Sequence, residues 1–308
     1  MTNSTTSPSL DWIDERETGG IRHRLISWHG DGPLVLLVHA ASLCAGAWAP
    51  VASRLSARVV AYDQRGHGDA DAPSGTEAYR WSLFGDDFAR VVRAVTERFG
   101  RPPDVCVTHS FAGDCAVLAM AEQSIGVGKM ILLDPVLADA EGATVGAERL
   151  AKGTLRLEER EAEGFESREA VGEGLERVLR AQLARDGLDA DAKTAFAEYG
   201  SAPDERGRFR LKCRRENEAE VYRNRVAIAD HLADKSVDAD VRLVFSSKRR
   251  AKPEDQEVAY ARDWKVAEGV VGRCRTGEIR RLDGVGHFLV LEAPDVVADT
   301  IRQLAALG

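Results

Sequence analysis

The chain has 308 residues, 44% of them hydrophobic, and its 50 acidic and 42 basic side chains give a formal net charge of −8. This length and composition suit one large α/β domain with an insertion, or two modest domains. The acidic balance argues against a protein whose main task is to bind nucleic acid or an anionic membrane.

The cysteines and the N-terminal segment bear on the compartment. The five cysteines are odd in number, scattered and without a Cys-x-x-Cys pair, so we expect reduced thiols in the cytoplasm and neither disulfides nor a zinc site. Residues 1–20 lack the apolar core of a signal peptide, and no apolar run is long enough to span a bilayer. We predict that residues 1–20 are disordered, above all the first ten, which are rich in Ser and Thr.

Apolar runs in the first third of the chain predict four strands and a long helix. Ile21 to Trp28 alternates apolar and polar residues, as expected of a half-exposed strand. Leu34 to Val38 is apolar on both sides, which is typical of a central parallel strand, and Arg58 to Tyr62 is the next one. An amphipathic helix over about Trp81 to Phe99 then leads to a strand at Asp104 to Val107.

A strand turns directly into a helix within the stretch Val107 to Asp114. The helix, predicted over residues 111–122, consists mainly of small apolar residues, and the corner is Ser110. Such a corner strains its residue and presents the hydroxyl at the carboxyl edge of a sheet, above a helix N-terminus. Thr108 replaces the first glycine of the usual G-x-S-x-G pattern. Two interpretations stay open: Ser110 is a nucleophile with the Phe111 amide as an oxyanion donor, or it merely caps the helix.

The composition changes after the strand that begins at Lys129 and ends on Asp134. From 136 to 236 the chain is densely charged, helical in pattern and poor in strand signals, whereas strands resume at Val241 to Phe245 and Glu278 to Leu282. Because strands resume, we interpret the charged segment as an insertion and not as an independent domain. The predicted division is a core of residues 21–135 and 237–308 and an insertion of residues 136–236.

Four motifs together resemble those of the α/β-hydrolase fold superfamily. They are the loop His39-Ala40-Ala41, the turn Asp63-Gln64-Arg65-Gly66-His67-Gly68, the elbow Val107 to Gly113, and the loop Gly284-Val285-Gly286-His287-Phe288. The resemblance implies an α/β fold with an eight-stranded, mostly parallel sheet, helices on both faces and a helical cap inserted after the sixth strand. It also implies a capped serine hydrolase.

The resemblance implies a catalytic triad with Ser110 as nucleophile and His287 as base. A neutral serine is a poor nucleophile, so an imidazole must take its proton and a carboxylate must orient the imidazole. Most relatives carry that acid after the seventh strand, where this chain has a basic loop with no carboxylate before Glu254 and Asp255. We favour Asp134 at the end of the sixth strand, and keep Glu254 and Asp255 as alternatives.

Other residue roles follow from the same resemblance. The oxyanion hole would combine the amides of Phe111 and Ala41, with Ala40 as the alternative second donor. We expect Asp63 and Arg65 to brace loops, and His39 and His109 to be structural.

Candidates for substrate contact are less specific. The segment Glu205 to Arg225 carries eight basic residues against four glutamates and could attract an anionic substrate such as a carboxylate or acyl-CoA. We favour a solvated helix there, because charge runs usually face solvent. Three side chains are candidate pocket residues, although core packing explains them equally well: Trp48, Cys115 and Tyr222.

We therefore expect a serine hydrolase that cleaves a small or medium carboxylic ester, lactone or thioester through an acyl-enzyme. A C–C bond hydrolase or lyase on the same scaffold and a non-catalytic ligand-binding protein are the alternatives. An epoxide hydrolase is disfavoured, because such relatives need an aspartate where Ser110 stands. We expect a small-molecule substrate, no cofactor or metal, and no nucleic-acid or membrane partner; the sequence leaves a homodimer open.

Overall fold

The computed structural model describes residues 8–14, 16, 20–248 and 253–306. The strands in this part of the chain are β1 (Ser9–Asp14), β2 (Arg22–Trp28), β3 (Leu34–Val38), β4 (Arg58–Tyr62), β5 (Val105–His109), β6 (Lys129–Leu133), β7 (Ser201–Pro203), β8 (Phe209–Leu211), β9 (Val237–Ser246) and β10 (Cys274–Leu282). The α-helices are α1 (Ala49–Ala52), α2 (Trp81–Phe99), α3 (Phe111–Glu122), α4 (Ala147–Glu161), α5 (Arg168–Leu179), α6 (Ala190–Gly200), α7 (Arg215–Arg223), α8 (Ile228–His231), α9 (Gln256–Val271), α10 (Leu289–Glu292) and α11 (Pro294–Ala305).

Eight strands form one sheet in the order β1-β2-β4-β3-β5-β6-β9-β10. The β1–β2 and β2–β4 pairs are antiparallel, and the five other neighbouring pairs are parallel. The predicted eight-stranded, mostly parallel sheet is therefore confirmed. Because β3, β5, β6 and β9 run side by side in one direction, the loops after their carboxyl ends meet along one edge.

Strand β3 shows how the sheet is buried on both faces. Leu36 packs in a cluster with side chains of α2, α3 and α9, whereas Val35 and Leu37 pack with side chains of α1 and α11. Successive side chains of a strand point to opposite faces, so a strand covered on both faces is an unbroken apolar run. The helices predicted on both faces are thus present.

Strand β1 corrects the prediction of disorder over residues 1–20. It pairs with β2 along its whole length and supplies the eighth strand. Ile13 is buried, and the Trp12 ring packs against the guanidinium groups of Arg22 and Arg24, at 4.3 and 4.7 Å from its centroid. These partners lie on another strand, so the local sequence did not reveal them. Residues 1–7, 15 and 17–19 of the same prediction lie outside the described residues.

Between β6 and β9 the chain forms α4 to α8 and the antiparallel hairpin of β7 and β8. The prediction of a solvated helix over Glu205 to Arg225 is wrong for the first part of this segment, which belongs to the hairpin. Only α7, in the second part, is helical. Asp204 is the reason, because its carboxylate accepts the backbone N–H groups of Arg206 and Arg208, each at 2.9 Å. Gly207 then turns the chain with φ of +75°. An Asp followed by a Gly three residues later is a turn signal that outweighs the charge pattern.

No helix among the described residues is both long enough and apolar enough to cross a lipid bilayer.

Trp48 offers a test of the packing. Its side chain is fully buried in the cluster on the α1 and α11 face, so we expect Trp48→Ala to lower the free energy of unfolding by ~3–5 kcal/mol, as measured by urea denaturation. The control is Trp12→Ala, at a side chain that is 39% exposed, for which we expect a loss of about 1 kcal/mol or less. A smaller loss at Trp48 than at Trp12 would contradict this packing.

Candidate active site

Ser110 occupies the corner between β5 and α3 in a strained conformation, with φ of +58° and ψ of −134°. Its backbone N–H donates to the Leu133 carbonyl at 2.9 Å, which anchors the corner to the end of β6. Its side chain makes no capping hydrogen bond to α3. The interpretation of Ser110 as a mere helix cap therefore has no support in the geometry.

The hydroxyl of Ser110 points to an imidazole and, beyond it, to a carboxylate. The Ser110 Oγ lies 3.1 Å from His287 Nε2, and His287 Nδ1 lies 2.6 Å from Asp134 Oδ2. All three side chains are at least 94% buried. The structure thus brings together the three residues that the sequence singled out as a triad, with hydrogen-bond distances for both proton positions of the imidazole.

Asp134 is itself held in place by the sheet. Its φ is +44°, its N–H donates to the Val244 carbonyl at 2.7 Å, and its second carboxylate oxygen accepts the Ser246 N–H at 2.8 Å. The alternative acids, Glu254 and Asp255, are exposed in a short 3₁₀ turn before α9. Residues 249–252 of the basic loop lie outside the described part of the chain. Among the three candidates, Asp134 is the one that contacts the imidazole.

The loop that carries His287 is fixed from two sides. His109 donates through Nε2 to the backbone carbonyl of His287 at 2.7 Å. The Glu292 carboxylate accepts the N–H groups of Gly286 and Ala184, both at 2.7 Å, and so joins this loop to the segment between α5 and α6. His109 therefore has the structural role expected for it, since it holds the backbone of His287.

The loop of residues 39–42, which we call the oxyanion loop, lies beside the start of α3. Ala41 and Phe111, the two predicted amide donors, belong to one buried cluster. Ser42 follows with φ of +69°, and its N–H donates to His67 Nε2 at 3.3 Å. His67 donates in turn through Nδ1 to the Arg65 carbonyl at 2.8 Å, which requires a neutral ring. The strained turn next to Ala41 is thus held by a histidine acceptor.

The turn of residues 63–68 is bonded to the segment just after the oxyanion loop and to α2. The buried Asp63 carboxylate accepts the N–H groups of Ala45 at 2.7 Å and Asp69 at 2.9 Å. Arg65 forms a bidentate ion pair with Asp87 on α2, at 2.7 and 2.9 Å. These contacts agree with the bracing roles expected for Asp63 and Arg65.

A buried ion-pair network joins the insertion to the oxyanion loop. Glu218 on α7 accepts the hydroxyl groups of Ser42 and, at 2.9 Å, Tyr222. Arg215 donates to Glu218 at 2.7 Å and to both oxygens of Glu161 on α4, at 2.9 and 2.8 Å. Because Arg215 and Glu218 are about 95% buried, this network depends on its internal pairing.

Two cavities adjoin these residues. The larger, about 480 Å³, lies between the insertion and the core, and Ser42, Phe288 and Tyr222 are among its lining residues. The smaller, about 250 Å³, is lined in part by Asp134 and His287. The catalytic candidates therefore lie at the base of the insertion, where a small molecule has room to bind.

The three candidate contact residues have different surroundings. Trp48 is fully buried within the core cluster on the α1 and α11 face, so the prediction that it lines the pocket is wrong. Cys115 is buried in one cluster with Ala41 and Phe111, the two predicted oxyanion donors. Tyr222 does line the larger cavity. The residue types did not distinguish these cases, because each side chain is largely apolar and suits either a pocket wall or a core.

Asp114 is a buried carboxylate in the largely apolar helix α3 that none of the sequence motifs singled out. It accepts the N–H groups of Val136 and Leu137, both at 2.9 Å, and so supports the chain just after Asp134. Burial raises the pKa of the Asp114 carboxyl to about 7, although these two N–H donors oppose the shift. A lone carboxylate among small apolar residues was the available signal, since a buried charge needs partners.

Among the described residues, no group of three or more His, Cys, Asp or Glu side chains is arranged so that it could hold a metal ion.

The neutral state of His67 leads to a prediction about pH. Burial lowers the pKa of His67 below its ordinary value of 6.5. Just below pH 6.5 the ring is therefore protonated in the unfolded chain but stays neutral in the folded protein. The contribution of His67 is therefore present above pH 6.5 and is lost as the pH falls below it. Over the range from pH 7.5 to pH 5.5 the raised pKa of Asp114 acts in the opposite direction. We therefore expect the His67 effect as a difference between the unmodified protein and a matched variant in the free energy of unfolding, measured by urea denaturation.

The matched variant is His67→Gln, whose amide oxygen can still accept the Ser42 N–H but does not titrate. When the pH is lowered from 7.5 to 5.5, we expect the free energy of unfolding of the unmodified protein to fall relative to that of the variant. An equal change in the two proteins would show that His67 is not the titrating group.

Parts of the sequence are similar to named enzymes. Protein phosphatase methylesterase 1 of Mus musculus is 33% identical over 107 residues, which make up 33% of this chain and 27% of that protein. The 2-(acetamidomethylene)succinate hydrolase of Mesorhizobium japonicum is 32% identical over 107 residues, which make up 34% of this chain and 36% of that protein. The matched region thus covers between about a quarter and just over a third of the length of these curated relatives.

A solved structure with a similar fold and a family profile that matches most of the chain complete the comparison. The solved structure of E-2-(acetamidomethylene)succinate hydrolase has a TM-score of 0.72 and 22% identity, covering 97% of this chain and 99% of that one. At this identity the likeness concerns the fold. Residues 35–300 match the profile described as the Alpha/beta hydrolase family. The chain therefore belongs to the α/β-hydrolase family.

Proposed function

We propose that the protein is a serine hydrolase that cleaves a small or medium carboxylic ester, lactone or thioester through an acyl-enzyme. The observation that carries the proposal is the continuous contact from Ser110 Oγ through His287 to Asp134, at 3.1 and 2.6 Å. A strained serine at the corner of a strand and a helix is the arrangement that such a nucleophile needs.

In the acylation step, Ser110 Oγ attacks the carbonyl carbon while His287 Nε2 takes the hydroxyl proton. The negative charge that develops on the carbonyl oxygen is stabilised by the N–H groups of Phe111 and Ala41. The tetrahedral intermediate then breaks the bond to the alkoxide or thiolate, which receives the proton from His287. The acyl group remains on Ser110 as an ester.

In the deacylation step, a water molecule loses a proton to His287 Nε2 and attacks the acyl carbon. The intermediate releases the carboxylic acid, and the proton returns to Ser110 Oγ, so the enzyme is restored. Asp134 accepts the Nδ1–H of the imidazole throughout, which leaves Nε2 free to act as the base and stabilises the charged ring.

We also propose that residues 136–236 act as a cap whose inner surface contacts the substrate. The location of Tyr222 in the larger cavity supports this role, as does the bond from Glu218 to Ser42 beside the oxyanion hole. The names of the relatives, a methylesterase and a hydrolase, are consistent with ester cleavage. A non-catalytic ligand-binding protein is the alternative that labelling would reveal.

Covalent labelling tests the nucleophile. A fluorophosphonate probe reacts with an activated serine hydroxyl and expels fluoride, so we expect the protein to be labelled once and Ser110→Ala to show no labelling, as read by intact mass. Ser124→Ala, at an exposed serine after α3, should be labelled like the unmodified protein. If the folded protein and Ser110→Ala label equally, the proposed function is wrong.

Substitution of the acid tests the remaining member of the triad. We expect Asp134→Asn to lower kcat for a 4-nitrophenyl ester by about 10⁴-fold, because the amide would favour the wrong imidazole tautomer. The control is the double variant Glu254→Gln with Asp255→Asn, for which kcat should change by less than about twofold, since both side chains are exposed. The opposite ranking of the two variants would assign the acid to the loop before α9.

A further inference from the structure

The larger cavity has a mixed lining that bears on the substrate class. Its apolar part comes largely from α4 and α5, which contribute Leu150, Leu157, Leu175, Val178 and Leu179. Its charged part consists of three arginines and two glutamates, so its wall has a net charge of +1 on a chain whose net charge is −8. This excess of positive charge is the feature that needs an explanation.

One arginine and both glutamates are already paired. Arg215 binds Glu161 and Glu218 through hydrogen bonds of 2.7 to 2.9 Å. Glu218 also accepts two hydroxyl groups. These carboxylates therefore have little capacity left to neutralise the remaining cations.

Arg149 on α4 and Arg177 on α5 are the remaining cations, and both side chains are exposed. Within the part of the chain that the structure describes, neither forms an ion pair or a side-chain hydrogen bond. A planar guanidinium without a partner can donate two parallel N–H hydrogen bonds to a carboxylate, and an exposed one does so without a large desolvation cost.

Arg149 also borders the cavity that adjoins two of the proposed catalytic residues. It lines the smaller cavity together with Asp134 and His287, so it belongs to the walls of both cavities. Arg262, another arginine of the smaller cavity, is paired with Asp263 at 2.9 Å. Arg149 is thus placed to hold a charged end of a molecule whose carbonyl lies near Ser110.

We propose that Arg149 and Arg177 bind the free carboxylate of the substrate, so that the enzyme prefers esters or thioesters that carry one. The inference rests on the proposed function, because it concerns the substrate of the same site. The apolar lining contacts the carbon chain between the carboxylate and the scissile bond. The carboxylate belongs either to the acyl group or to the leaving group, and the experiment separates the two.

The acyl-group comparison uses mono-4-nitrophenyl adipate against 4-nitrophenyl hexanoate, which have the same chain length and leaving group. The leaving-group comparison uses 4-carboxyphenyl hexanoate against 4-(methoxycarbonyl)phenyl hexanoate, in which the carboxyl group of the phenyl ring is a neutral methyl ester. We expect kcat/KM for the charged member of at least one pair to exceed that of the neutral member about tenfold or more. Equal or lower values for the charged member of both pairs would overturn the proposal.

The variants are Arg149→Gln, Arg177→Gln and their combination. We expect each single variant to lower kcat/KM for the preferred charged ester about tenfold and to change the neutral ester by less than about twofold. Arg156→Gln is the matched control, because Arg156 is an exposed arginine of α4 that lines neither of the two cavities. An unchanged charged-to-neutral ratio in the double variant would also overturn the proposal.

A binding measurement keeps this inference separate from the proposed function. Adipate itself should bind to the unmodified protein in isothermal titration calorimetry, and binding should be lost in the double variant. If fluorophosphonate labelling fails while adipate binding depends on the two arginines, the carboxylate site stands and the hydrolase assignment falls. If labelling succeeds in every variant and adipate does not bind, the carboxylate site is wrong and the hydrolase assignment stands.

Discussion

The candidate site depends on the parallel pairing of β5 with β6. His109 is the register partner of Leu133, and the N–H of the next residue, Ser110, donates to the Leu133 carbonyl. Ser110 and Asp134 therefore emerge side by side from the carboxyl ends of neighbouring strands, one residue beyond the ladder. A slip of one residue in this register would turn the side chains of the slipped strand to the opposite face, so Ser110 and Asp134 could no longer reach the same imidazole.

Strained backbone is concentrated around the same edge of the sheet. Of the five non-glycine residues with positive φ in the described part of the chain, four lie in the loops around the site: Ser42, Ser110, Asp134 and Leu137. Each donates its backbone N–H to a fixed acceptor, which in the same order is His67, Leu133, Val244 and Asp114. Such conformations persist only where the surroundings over-determine them, so these acceptors keep the loops in place.

The insertion contributes to the site through charge as well as shape. Arg215 is neutralised by two glutamates, and one of those, Glu218, also binds the Ser42 hydroxyl beside the oxyanion loop. A buried ion pair of this kind gives little net stability but strongly opposes separation of its partners. It therefore links the position of α4 and α7 to the loop on which the proposed oxyanion hole depends. Arg149 and Arg177, in contrast, keep their charge available to a ligand.

Local sequence determined the elements and the motifs. The boundaries of α2 and α3 follow from their own periodicity and composition. Two short motifs identified Ser110 and His287, and the end of a predicted strand suggested Asp134, because each of these signals depends on neighbours within a few residues. The tertiary structure alone decided that these side chains meet, since 177 positions separate Ser110 from His287. It likewise decided that β1 finds a partner strand, that Trp48 belongs to the core, and that Arg215 is paired whereas Arg149 is not. Such contacts join residues that are distant along the chain, and no local pattern records them.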